Sequence, residues 1–176
     1  MEARTMFKLL VSIFLAAVVL APLAQAQNDG GKSLRTRIQR LEDQRDIQLL
    51  LNEYGRALDE HDWTKMMMLY TKDGVWTARY GSAKGPEAIK AMMNKNVANR
   101  PGSYHLFSNF IINVNRDAGT LWAHWTIVGN RGDNLPSLLN SGHYNARVVR
   151  EGGRWKFANL TVFNDLPHVD NPESPK

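Results

Sequence analysis

The chain has 176 residues, a formal net charge of +5 and no cysteine. That length suits one domain with a substantial core. The lack of cysteine excludes disulfides and thiol chemistry. The basic residues are dispersed, without a Lys/Arg block or aromatic-basic interleaving, which argues against a nucleic-acid partner.

Residues 1–26 read as an export signal. Arg4 and Lys8 precede an apolar run from Leu9 to Leu23, broken only by Ser12 and Pro22, and Ala24-Gln25-Ala26 forms a small-residue cleavage site. The run is shorter than the about 20 residues a membrane span needs. The expectation is a periplasmic or secreted protein with no membrane attachment after cleavage. Residues 27–40 are then a polar linker and the start of the first helix, 41–166 the folded domain, and 167–176 a Pro-rich flexible tail.

Leu34, Ile38 and Leu41, followed by Ile47, Leu50, Leu51, Tyr54, Ala57 and Leu58, recur at helical spacing. They predict an amphipathic helix from an N-cap at Ser33 to about Leu58. Asp62 caps a short second helix whose apolar side carries Trp63, Met66, Met67 and Tyr70. Lys72-Asp73-Gly74 reads as a turn and Val75–Tyr80 as a strand. Pro86 then opens a third helix with an inner stripe of Ile89, Met92, Met93 and Val97.

Beyond Gly102 the pattern changes to strands: Tyr104–Asn115, Thr120–Gly129, Ser141–Arg150 and Arg154–Asn164. Turns separate them at 116–119 and 151–153, and a polar loop at 130–140. Helices followed by a mostly antiparallel sheet make an α+β fold. By simple alternation His105, Phe107, Asn109, Ile111 and Asn113 share one strand face, and Leu106, Phe110, Ile112 and Val114 the other. Both faces are then apolar, which predicts that a second copy of the chain covers the outer one as a homodimer.

The candidate chemistry lies in Tyr54-Gly-Arg-Ala-Leu-Asp59 and Ser-Tyr-His105-Leu-Phe-Ser-Asn109. A phenol, a carboxylate and an imidazole around an apolar pocket can move protons without a cofactor. Each residue also has a plainer reading: Tyr54 as core, Asp59 as a helix-end residue, His105 as a satisfied strand residue. Trp76 is a candidate cavity wall and Asn109 a candidate substrate contact, while Trp63, Trp122, Trp125 and Trp155 read as packing. No His/Asp/Glu spacing resembles a metal site, and Gly152-Gly153 reads as a hairpin turn, not a phosphate loop.

The ordered series Tyr54…Leu58-Asp59…Asp62-Trp63…Leu69-Tyr70…Asp73-Gly74, Gly85-x-x-Ala88-Ile89, His105-x-x-x-Asn109 and Gly142-x-Tyr144…Gly153-x-Trp155 resembles the SnoaL-like branch of the NTF2-like superfamily. The resemblance covers roughly Leu41 to Leu166. It implies a cone in which helices close a curved sheet over an apolar cavity that binds a small hydrophobic molecule. Tyr54, Asp59 and His105 match the Tyr, Asp and His of the scytalone dehydratase and bile-acid 7α-dehydratase types, which implies a cofactor-independent lyase. In that role Tyr54 polarises a carbonyl, His105 is the base and Asp59 orients it, although Asp59 as base fits the sequence equally. The base carboxylate of the steroid isomerases and the acidic strand residue of the polyketide cyclases have no counterpart in this chain. The competing class is a non-catalytic ligand-binding or dimeric scaffold module.

Overall fold

A computed structural model describes residues 2–79, 81–97, 102–130 and 135–165, with side chains from residue 31 onward. The elements are α1 (Glu2–Asp59), α2 (Trp63–Met68), β1 (Tyr70–Ala78), β2 (Gly81–Lys84), α3 (Pro86–Asn96), β3 (Ser103–Asn115), β4 (Ala118–Asn130), β5 (Pro136–Glu151) and β6 (Arg154–Asn164). The chain divides into two compact units, 1–42 and 43–176.

In the first unit Ser33 lies inside a helix and not at its start, correcting the expected N-cap. Leu34, Ile38 and Leu41 are exposed there, so the predicted buried stripe does not reach them. The expected signal cleavage site lies among residues whose side chains are outside those described, and the tail lies outside the described residues altogether. No helix among the described residues is long and apolar enough to cross a membrane.

The second unit holds the core. Ile47, Leu50, Leu51, Tyr54, Ala57 and Leu58 are buried at 3–4 spacing, so one face of α1 is apolar over three turns. The Asp62 carboxylate accepts the Lys65 N–H at 2.9 Å and caps α2. Pro86 starts α3 as predicted.

The six strands form one sheet in the order β2-β1-β6-β5-β4-β3. β1 and β6 are parallel and the other pairs antiparallel. Two expectations need correction. Residues 72–74 are not a free turn but an irregularity within β1, between Tyr70 and Val75, where the pairing with β6 shifts register. The chain then folds back as the unforeseen edge strand β2. The expected loop at 130–140 is also too long, because β5 already starts at Pro136.

A further correction bears on the site. β3 carries a bulge between Ser108 and Ile111, with Asn109 at φ 55°. One extra residue reverses the alternation. His105 and Phe107 face the core before the bulge, and Phe110, Ile112 and Val114 face it afterwards. Asn109, Ile111 and Asn113 therefore point to the opposite face from His105. Three of the four apolar residues expected on the outer face are turned inward, which weakens the premise on which a covering second copy was predicted.

Candidate active site

Tyr54 sits one turn before the end of α1 and is almost wholly buried. Its ring makes edge-on contacts with Tyr70, Tyr144 and Phe157, at centroid separations of 6.4, 5.8 and 5.8 Å. Such contacts put the positive ring edge on a neighbour's π face and hold the phenol in one orientation. Its hydroxyl accepts a hydrogen bond from the Trp76 indole N–H at 3.0 Å. The Tyr70 hydroxyl lies beside that of Tyr54 without reaching a hydrogen bond of ordinary geometry. Burial first, and the Tyr54 and Tyr144 phenols second, hold the Tyr70 phenol well above its usual pKa.

Asp59 closes α1, and the chain reverses through His61 in the left-handed region at φ 55°. From there its carboxylate reaches the first residues of β3. Asp59 Oδ1 lies 2.6 Å from His105 Nδ1, and Oδ2 accepts the His105 backbone N–H at 3.0 Å. The side chains are only 15% and 8% exposed, so the contact is largely shielded from water. A carboxylate at Nδ1 favours the tautomer with its proton there, leaving Nε2 as the basic nitrogen. Phe107 stacks on His105 at 6.2 Å and packs across Gly55 of α1.

Tyr54, Trp76 and His105 line one cavity of about 60 Å³. Leu58, Ala78, Met93, Val97, Ile127 and Val162 supply much of its apolar wall. Trp125, Asn140, Tyr144 and Asn164 complete it, none of them a site candidate in the sequence. Inward alternation along β4 and β5 was the available signal for Trp125 and Tyr144, but nothing local marked the two asparagines. The Asn140 side-chain Oδ1 accepts the Ser141 backbone N–H at 2.9 Å, which identifies the oxygen end of that amide. A larger groove, about 460 Å³ between α1, α2 and the β5–β6 hairpin, includes none of these groups.

Asn109 is not part of the cavity. Its amide nitrogen lies 2.9 Å from His124 Nδ1 on the outer face, where the bulge has carried it. The structure thus brings Tyr54, Asp59, His105 and Trp76 together and separates Asn109 from them. Among the described residues no cluster of three or more His, Asp or Glu could hold a metal.

A sequence profile of the SnoaL-like domain matches residues 39–161. The chain belongs to the SnoaL-like family. No curated protein is significantly similar to it in sequence. Among solved structures, a Nostoc punctiforme protein of unknown function with a cystatin-like fold is 26% identical, with a TM-score of 0.62 over 70% of this chain and 92% of that one. A putative scytalone dehydratase from Novosphingobium aromaticivorans is 21% identical, with a TM-score of 0.63 over 72% and 86%. The hexachlorocyclohexane dehydrochlorinase LinA-type3 from Novosphingobium barchaimii is 22% identical, with a TM-score of 0.66 over 80% and 99%. The last two show the fold alone. This SnoaL-like chain therefore has the α+β, NTF2-like architecture that its sequence led us to expect.

Proposed function

We propose that this cavity is the active site of a cofactor-independent lyase that removes water from a hydroxylated cyclic substrate. The observation that carries the reading is the 2.6 Å Asp59–His105 contact, with the His105 ring lining the same cavity as Tyr54. His105 Nε2 takes a proton from the carbon beside a carbonyl, and that electron pair becomes the new C=C bond. The C–O bond on the next carbon breaks, and the hydroxyl leaves as water with the proton that His105 Nε2 returns to it. Asp59 stabilises the imidazolium formed in the first step. Both of its oxygens already accept from His105, which favours His105 over Asp59 as the base. Tyr54 donates to the carbonyl oxygen as charge develops there, and the hydrogen bond it accepts from Trp76 strengthens it as a donor.

A screen of cyclic β-hydroxy ketones, followed by absorbance of the conjugated product, tests this. Turnover that falls at least about 100-fold in Asp59→Asn and in His105→Ala, with folding retained, is the expected outcome. Turnover untouched by both substitutions sinks the proposal.

A second reading, a non-catalytic binding module, draws support from the cavity's size. About 60 Å³ has room for a few waters, so a cyclic guest requires the Trp76, Met93 and Val97 walls to yield. For a binder, affinity tracks apolar wall changes and ignores Asp59 and His105.

The leader pattern supports export to the periplasm or medium, and periplasmic fractionation of the expressed full chain checks it. A homodimer through the outer sheet face draws on Tyr104, Leu106 and Leu138, which are 71, 56 and 49% exposed near one end of that face. Light scattering of wild type and Leu106→Glu tests it, with conversion from dimer to monomer expected.

A further inference from the structure

We propose that the outer face of the sheet carries a second binding site, for a small ring-bearing carboxylate, centred on Arg147. Strand register brings Asn113, Thr120, Arg147 and Asn159 into one row across β3, β4, β5 and β6. The neighbouring row contributes Ile111, Trp122 and Asn145. Together they line a groove of about 300 Å³ on the face opposite the Tyr54 cavity.

The groove's chemistry is one-sided. An ordinary solvated sheet face mixes charges of both signs. Here the groove contains a guanidinium and three amides but no carboxylate. Among the described residues the nearby ion pairs are taken by other groups: Asp165 pairs with His143, Asp117 with Arg150, and Glu151 with Lys156. Arg147 is exposed and forms none. Asn159 accepts from the Thr161 hydroxyl at 3.3 Å through its carbonyl oxygen, so its N–H₂ is the end left to donate. A planar guanidinium fork takes a carboxylate through two parallel hydrogen bonds, and the amides extend the donor set around it.

The body of the ligand is set by the groove's apolar side. Ile111 is 58% exposed and Trp122 borders the groove beside it. Trp122 is held by His124 at 4.5 Å and His143 at 5.6 Å, which makes it a fixed wall. A flat ring fits against that wall with its carboxylate on Arg147. The site lies several rows from Tyr104 and Leu106, so a dimer contact confined to that end of the face leaves it open, and it does not depend on the lyase reading.

Calorimetric titration of the full chain with benzoate, benzamide and inorganic phosphate tests the proposal. The expected result is saturable benzoate binding that weakens as salt rises, at least tenfold tighter than benzamide or phosphate. Arg147→Gln should weaken it at least tenfold, which corresponds to about 1.4 kcal/mol, and Trp122→Ala should remove the preference over phosphate. His105→Ala should leave it unchanged. Absence of saturable binding, phosphate binding as tightly as benzoate, benzoate binding that survives Arg147→Gln, or its loss in His105→Ala each overturns the proposal.

Discussion

Gly55 of α1 lies directly against the ring of Phe107 on β3: a Cβ at position 55 would stand 2.4 Å from Phe107 Cε2 and 3.3 Å from His105 Cβ. No real contact is that short, so the missing side chain is what lets the helix and strand approach closely enough for Asp59 to reach His105. Phe107 cannot swing aside freely, because Tyr144 packs against it at 5.9 Å and His105 at 6.2 Å.

Gly55→Ala should therefore destabilise the fold by about 1–3 kcal/mol, the usual range for overpacking a filled core. Alanine's better helix propensity at this position offsets up to about 1 kcal/mol of that cost, so the net loss lies toward the lower end of the range. Urea denaturation of wild type and variant measures the difference. Unchanged stability would mean that α1 and β3 are less closely packed than described.

Tyr54 and Trp76 should be energetically coupled. Tyr54→Phe leaves the buried indole N–H without the acceptor it has in the native fold, at a cost of about 1–3 kcal/mol. Trp76→Phe removes the donor and opens space beside the cavity. In a double-mutant cycle the pair should show a coupling of about 1 kcal/mol. Strict additivity would indicate that the bond does not form in solution.

Arg150 joins distant parts of the second unit. Its guanidinium hydrogen-bonds Asp43 at the start of the unit, contacts Asp117 at 3.2 Å, and lies 4.6 Å over the Trp155 ring. Among the described residues Asp43 is the one charged residue in the buried core, at 5% exposure. Arg150→Met keeps the packing over Trp155 but leaves that carboxylate buried without its cation. A loss of about 2–3 kcal/mol follows, somewhat below a fully buried pair because Arg150 is partly exposed. Asp117→Asn, on an exposed partner, should cost well under 1 kcal/mol. Comparing the two melting temperatures checks the ranking.

Tyr70 should set an alkaline limit on stability. Its phenol is held protonated in the fold, whereas in the unfolded chain it ionises near the ordinary value of about 10. Below that pH both states carry the proton and the full stability is present. As pH rises above about 10 only the unfolded chain gives up its proton, so stability falls until the folded phenol also ionises. Tyr70→Phe should flatten this limb, and near neutral pH it should be neutral or slightly stabilising because the hydroxyl makes no good hydrogen bond. Thermal unfolding from pH 8 to 11 measures both effects.

Much of the fold was legible because its signals are local. Helical spacing from Ile47 to Leu58, the Asp62 cap, Pro86 and the Gly152-Gly153 hairpin each depend on neighbours a few residues away. Edge strand β2 was missed because four residues, Gly81–Lys84, are too short to show a period, and their pairing is decided by β1. The site was partly legible for the same reason. Tyr54 announces its buried face through the helix it sits on, but nothing within a few residues of Asp59 indicates a partner 46 positions later.

By itself, then, the sequence determined the family, the helical face that carries Tyr54, and the residue types available for chemistry. Tertiary structure alone decided which of them meet. The bulge at Asn109 is the clearest case. A strand's alternation is local, yet the extra residue that reverses it exists only in register with β4. That one residue sends Asn109 to His124 on the outer face while His105, four positions earlier, stays inside on Asp59.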